Sequence, residues 1–457
     1  MRSSKSLDMT QGSVLKKLLA FVIPAILTNL IQQTYTIADR VVVGRFAADG
    51  TTALAAVGST AQITTLFLNL FVGMSIGANV VCANLRGAKD QQGVERCMHT
   101  AVLFSAICGV CVGVVGILLC RPLLLLLDTP RTLLDAATLY TRIYFLGMPG
   151  SLVYNFGANL LRANGDTRRP MYILSATGVV NVCLNLVLVI GCGMSVAGVA
   201  IATITAQYLS AISVLWILFS PKGEYGLSVK KLRLDKKMVA SIAKIGIPGG
   251  LNGMVFTLSN AVVLTAVNSF NSAVISAAKT AANDLNIVMY QVVAGVYMGC
   301  VSASGQCYGA KKYSRIDRYA AAAMGLGSSI LAVVGVCFTI FGRQLLGLFN
   351  DNPEVIDAGM GPLMLHAWFY VLYLFSEVPL GCLRGMKKSV LPGVLNLIGI
   401  CLPRVLWTLL VFPMHRSLTF LFVCYPISWL FSAMLQWIYY LYCRKKLLLA
   451  KLVPAQQ

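Results

Sequence analysis

Residues Leu18–Phe46 read LLAFVIPAILTNLIQQTYTIADRVVVGRF. The first half is almost wholly apolar and carries Pro24. The second half turns polar at Gln32 and holds Tyr35, Asp39 and Arg40. A helix needs about 20 apolar residues to cross roughly 30 Å of hydrocarbon. The apolar run therefore predicts a membrane span over 15–38, with a carboxylate at its edge. Similar runs recur at 54–84, 97–119, 133–160, 170–191, 196–219, 239–268, 273–304, 316–342, 354–382, 390–412 and 418–443. Composition agrees: 57% of residues are hydrophobic and 12% charged, against roughly 25% charged in soluble domains. The expected fold class is an all-α membrane protein with twelve transmembrane helices.

The net charge of +21 would suit nucleic acid, but its placement argues otherwise. Lys and Arg gather at the N-terminus, in every second connection (ANLRGAKD, RANGDTRRP, GAKKYSRIDR, RGMKKS) and in the CRKK tail. The alternate connections GCGMS and VNSFNS have none. This positive-inside pattern predicts a multi-pass plasma-membrane protein with both termini cytoplasmic. No nucleic-acid partner is expected, because no connection is large enough to form a basic soluble face. The first run is longer than a signal-peptide core, so no cleaved leader is expected. Cys108 and Cys111 form a C-x-x-C that reads as helix packing. No cluster has metal-ligand spacing, and no metal or cofactor is expected.

The chain repeats itself. Ile23-Pro24 returns as Ile247-Pro248, RGAKD as YGAKK, and LLRANGDTRRP as CLRGMKKSVLP. Gly87/Gly309, Arg162/Arg384 and Pro170/Pro392 are each 222 positions apart. A near-constant offset over several motifs marks a duplication. Six spans per half is an even number, so the halves point the same way and are related by a pseudo-twofold along the membrane normal. The expected organisation is an N-lobe over 1–220, a basic cytoplasmic linker over 221–238, a C-lobe over 239–443 and a cytoplasmic tail over 444–457.

The Leu18–Phe46 stretch, ALAAVGST, the GAK after the second and eighth spans, and LRANGDTRRP…GVVNVCLNLVLV together resemble the multidrug and toxic compound extrusion (MATE) transporters over nearly the whole chain. The resemblance implies a two-lobed antiporter, acting as a monomer in the bilayer. It would export small organic, amphipathic and often cationic compounds in exchange for H⁺ or Na⁺. It also implies a cation pocket in the N-lobe formed by Tyr35, Asp39, Asn181, Asn185 and Thr203. Many relatives carry a carboxylate where this chain has Asn185, which puts Na⁺ in doubt. In the C-lobe it points to Glu377 and Tyr373.

The residues themselves support part of this. A charge at mid-membrane costs about 2.5–3.5 kcal/mol. Of the 16 acidic residues, Asp39, Asp284 and Glu377 are placed within or at the edge of the apolar segments, and the other 13 in connections or at helix ends. Tyr35 and Asp39 are four apart, on one helix face, where the phenol could donate to the carboxylate. The plain alternative is that Asp39 and Arg40 close the first span at the interface. Glu377 could instead pair internally with Arg384 or Arg404. Lys279 and Asp284 could snorkel to an interface or line the C-lobe cavity. Pro24 and Pro248 each remove a helix N–H and permit a bend, so both are hinge candidates. Trp368, Trp407, Trp429 and Trp437 read as interfacial anchors. No Walker motif appears and no nucleophile constellation suggests an enzyme. A flippase for lipid-linked oligosaccharide or another amphipathic lipid is the nearest rival. Such proteins tend toward basic cavities, whereas the intramembrane charge here reads as mostly acidic.

Overall fold

A computed structural model describes residues 7–47, 50–126, 129–220 and 225–452. Residues 221–224 of the linker and 453–457 of the tail lie outside these. Among the described residues the regular structure is entirely helical. The first half holds α1 (Val14–Phe46), α2 (Gly50–Gly87), α3 (Gln91–Leu126), α4 (Arg131–Leu146), α5 (Met148–Ala163), α6 (Arg168–Asn185) and α7 (Val196–Phe219). The second half holds α8 (Lys236–Asn268), α9 (Ala273–Gly309), α10 (Tyr313–Gly347), α11 (Pro353–Gly385), α12 (Val390–Leu406), α13 (Leu418–Phe422) and α14 (Cys424–Leu452). Eleven spans among the described residues are helical, long and apolar enough to cross a membrane. The twelfth is the broken pair α4–α5. Gly147 ends α4 and Pro149 sits in the first turn of α5. A proline is tolerated there because the first N–H groups of a helix have no intrahelical partner.

Two features depart from the expected spans. First, α1 does not end near residue 38; it continues to Phe46. Val42 and Val43 are 5% and 1% exposed and join a core cluster with Phe145, Met148 and Val199. Burial of these residues carries the helix past Asp39 and Arg40, so the pair lies inside α1 and does not close it. Second, α6 and α12 both pass into π-helical stretches, Leu186–Gly191 and Trp407–Val411. The stretches sit at matched places in the two halves, beginning right after Asn185 and three residues after Arg404. Such π-turns are rare and frequently mark functional positions.

By contacts the chain divides into two compact units. One holds Leu27–Gly250; the other holds Asp8–Ile26 and the chain from Leu251 onward. Sequence halves and contact units therefore differ in one respect: the borders fall inside α1 and α8, not in the 221–238 linker. Close packing gives the reason. In the first unit α8 lies against α2, where a Cβ on Gly77 would meet the backbone of Ile242 and Gly246, and one on Gly73 that of Gly249 and Gly250. In the second unit α1 lies against α9, where Gly299 faces Val22 and Leu18, and Gly295 faces Ile26. Small residues let helix backbones approach this closely. Gly77→Leu is expected to lower stability by about 1–3 kcal/mol through overpacking. Gly325→Ala, which would enter open space, is expected to gain slightly from helix propensity. Thermal unfolding of both variants in the same detergent checks this.

Candidate functional site

The first unit contains a cavity of ≈ 700 Å³, lined by residues of α1, α2, α4, α5, α6 and α7. Tyr35, Asp39, Asn181 and Thr203 line it. Asn185, fully buried, sits behind Asp39 and donates its Nδ2–H to one carboxylate oxygen. Thr203 Oγ1 donates to the other at 3.4 Å. Nδ2 of Asn185 also lies 3.5 Å from Asn181 Oδ1. Three helices thus bring together all five residues singled out for this half. The α6 pair reaches Asp39 because Asn181 and Asn185 are one turn apart on a single face.

Tyr35 differs from its expected role. It makes no hydrogen bond to Asp39; its ring packs over Gly178 of α6, and it serves as cavity wall. The carboxylate is held by an amide and a hydroxyl instead.

Sequence reasoning missed much of the wall. Tyr140 and Tyr144 from α4, Tyr154 and Asn155 from α5, and Gln207 from α7 all line the cavity. Tyr140 and Tyr144 stack with ring centroids 6.1 Å apart. Their four-residue spacing in TLYTRIYFL was a usable signal, since it places two phenols on one face of the predicted fourth span. Arg40 also lines the cavity, on an exposed part of α1.

The second unit places its acid differently. Glu377 is half-buried in α11, one turn after Tyr373. Tyr290 of α9 stacks on Tyr373 at 6.2 Å. The internal ion pairs weighed for Glu377 do not form. Arg384 donates to Tyr297 Oη at 2.5 Å, with Glu377 acting on it only through space. Arg404, fully buried, donates to Asn260 Oδ1 at 2.9 Å and Ser428 Oγ at 3.1 Å. Its guanidinium also lies 4.4 Å from the Tyr425 ring centroid and 5.0 Å from that of Phe256, so cation–π attraction offsets part of its desolvation.

Two further expectations need correction. Trp429 is 3% exposed and belongs to an aromatic cluster with His366, Tyr370, Tyr373 and Tyr425; Trp368 is 54% exposed, and Trp407 and Trp437 are half-buried. Intramembrane charge is also less acidic than expected, because Arg384 and Arg404 are among the buried residues of the second unit. Lys279 and Asp284 are both half-buried in α9 and feel each other's charge. Five residues apart on a helix, they point about 140° from one another. Among the described residues no group of His, Cys, Asp and Glu could hold a metal ion.

The MatE family model matches residues 24–187 and 248–409, once in each half. A probable multidrug resistance protein of Bacillus subtilis (strain 168), YoeA, is 25% identical, with 97% of each chain covered. A second from that organism, YpnP, is 28% identical over 97% of this chain and 98% of its own. A solved structure described as the outward-facing conformation of a multidrug resistance MATE family transporter superposes with a TM-score of 0.90 at 18% identity. That superposition covers 98% of this chain and 99% of the other.

Proposed function

Because this chain belongs to the MatE family of membrane transporters, we propose that it is a multidrug antiporter that exports organic, cationic amphipathic compounds in exchange for H⁺. The observation that carries this reading is Asp39, a carboxylate held by Asn185 and Thr203 at the wall of a tyrosine-rich cavity. Phenol faces attract organic cations, and a carboxylate can carry the exchanged proton. Protonation discharges Asp39 and releases a cation; loss of the proton restores the negative site. Glu377 supplies a second negative centre in the other lobe. Pro24 and Pro248 serve as the hinges of the switch. The protein works as a monomer in the plasma membrane, with both termini in the cytoplasm.

Proton coupling fits the donor set better than sodium coupling. A hard cation wants several oxygen ligands. Asp39 instead meets an N–H and an O–H, each of which is a donor to the carboxylate. The test is export of a labelled organic cation from proteoliposomes under imposed pH and Na⁺ gradients, applied separately. Export that persists without a pH gradient and collapses without Na⁺ overturns the proton reading. A converse change is expected in Asn185→Asp. A second carboxylate would replace the amide donor, and Na⁺-dependent binding of at least about tenfold, or 1.4 kcal/mol, should appear. Titration of Na⁺ against tyrosine fluorescence would measure it.

A second reading has one observation in its favour. The buried Arg384 and Arg404 would suit an anionic amphiphile, as in the translocation of a lipid-linked headgroup. The same vesicles loaded with a labelled anionic lipid decide between the two: transbilayer movement of that lipid, with no export of the cation, selects the flippase.

A further inference from the structure

The chain ahead of α1 makes more polar contacts than a connecting segment requires. Met9 is fully buried. Its N–H donates to Gln306 Oε1 at 2.8 Å. Its carbonyl accepts from Arg315 Nε at 2.8 Å and Tyr319 Oη at 2.9 Å. The next three carbonyls are held as well: Thr10 by Lys312 Nζ at 3.0 Å, Gln11 and Gly12 by Arg315 Nη2 at 2.5 and 2.6 Å. Asp8 closes the segment on itself by accepting from the N–H and hydroxyl of Thr10. Four successive carbonyls are thus met by donors from the α9–α10 corner. Hydrogen bonds to charged donors are stronger than those between neutral groups, so this is an attachment and not a loose lead-in.

The segment ahead of α8 repeats the arrangement in the other unit. Ser228 N donates to His99 Nε2 at 3.1 Å. Thr100 Oγ1 donates to the Arg233 carbonyl at 3.2 Å and receives Asp235 N at 3.3 Å. Lys231 pairs with Glu95 at 2.9 Å. Asp235 then caps α8, accepting from Lys237 N at 2.9 Å. In each case the segment before a proline-bearing helix is tied to the helix that follows the glycine seam, α10 in one unit and α3 in the other.

The glycine seams complete the picture. Downstream of each strap, the helix runs along Gly295 and Gly299 of α9 or Gly73 and Gly77 of α2. Each helix then leaves its unit two residues after its proline: α1 between Ile26 and Leu27, and α8 between Gly250 and Leu251. Anchored at one end and released just past Pro24 or Pro248, each helix has one place to flex. A proline supplies that place, because it leaves a carbonyl of the previous turn without its N–H partner.

We infer that Asp8–Gly12 and Ser228–Asp235 are paired straps that pin the first halves of α1 and α8, and so set the positions at which these helices flex during transport. This rests on the hinge reading of the two prolines, and the test separates the two. Arg315 is the positioning residue of the first strap, since only its fork reaches three carbonyls from one side chain.

The experiment is amide hydrogen exchange of the full chain in lipid nanodiscs, comparing wild type with the Arg315→Gln/Tyr319→Phe pair and with Arg315→Lys. Exchange over residues 14–23 is expected to rise about tenfold in the double variant, with residues 27–44 unchanged. Arg315→Lys, which keeps the charge and loses the fork, should give a partial rise. Binding of a labelled organic cation should stay within about twofold, while gradient-driven export falls about tenfold. His99→Ala/Thr100→Val should give the matching rise over residues 236–247. Unchanged exchange over 14–23 overturns the strap. A rise spread evenly over 14–44 leaves the strap standing but removes the hinge at Pro24. An equal rise throughout α9 and α10 shows general destabilisation and also overturns the proposal.

Discussion

Asp39→Asn is expected to abolish gradient-driven export while leaving the cavity folded. The amide has nearly the shape of the carboxylate. Its oxygen can still accept from Asn185, and its NH₂ can turn toward Thr203. What is lost is the ionisable group, and with it the means of exchanging a proton for a cation. Magnitudes set the form of the assay. One H⁺ exchanged for one monovalent cation moves no net charge, so membrane potential does no work on it. The drive is then the pH difference alone, about 1.4 kcal/mol or a tenfold solute gradient per pH unit. A second proton carried on Glu377 would make the exchange electrogenic, and about 2.3 kcal/mol per 100 mV would be added. Flux into vesicles clamped with valinomycin, with and without a pH step, distinguishes these cases. Downhill counterflow of the cation should survive in Asp39→Asn, though weakened. Export at the wild-type rate with an unchanged pH dependence would remove Asp39 from the mechanism.

Glu377→Gln is expected to weaken binding of organic cations by about a hundredfold and that of neutral isosteres hardly at all. A unit charge about 6 Å away at an effective dielectric constant of 20 contributes about 2.8 kcal/mol, or two decades in affinity. The site gives the charge its leverage. Tyr290 and Tyr370 pack on Tyr373, one turn before it, and no arginine neutralises it by direct pairing, since Arg384 is committed to Tyr297. Equilibrium binding of a cation and its neutral analogue, measured on the same preparation, reads the difference. Equal losses for the two ligands would instead place Glu377 in the packing of the α9–α11 contact.

These two acids were legible because an ionised group in an apolar run is conspicuous in one dimension. The duplication was legible for a similar reason: Ile-Pro, GAK and the LRANGD/LRGMKK turns recur at an offset that no packing argument is needed to see. The N-lobe constellation was partly legible through four-residue spacing, which placed Asn181 beside Asn185. Tyr140, Tyr144, Tyr154 and Gln207 were not read. Apolar helices tolerate tyrosine at interfaces, in cores and on cavity walls alike, so residue type alone does not choose among these places. Arg404 was weighed only as a partner for Glu377. Its compensation by Asn260, Ser428, Tyr425 and Phe256 comes from helices far apart in the chain.

Hydropathy determined the twelve spans, because a bilayer imposes length and polarity on every segment independently, and the recurring motifs determined the two matched halves. Tertiary structure alone decided where those halves part company. The borders at Ile26/Leu27 and Gly250/Leu251 follow from which backbone each glycine lies against, and a glycine in a sequence does not name its partner. The donors to Asp39, the absence of a pair for Glu377 and the straps at Met9 and Arg233 have the same origin. Each is a hydrogen bond or a contact between segments distant in sequence, made or refused according to how several helices pack at once.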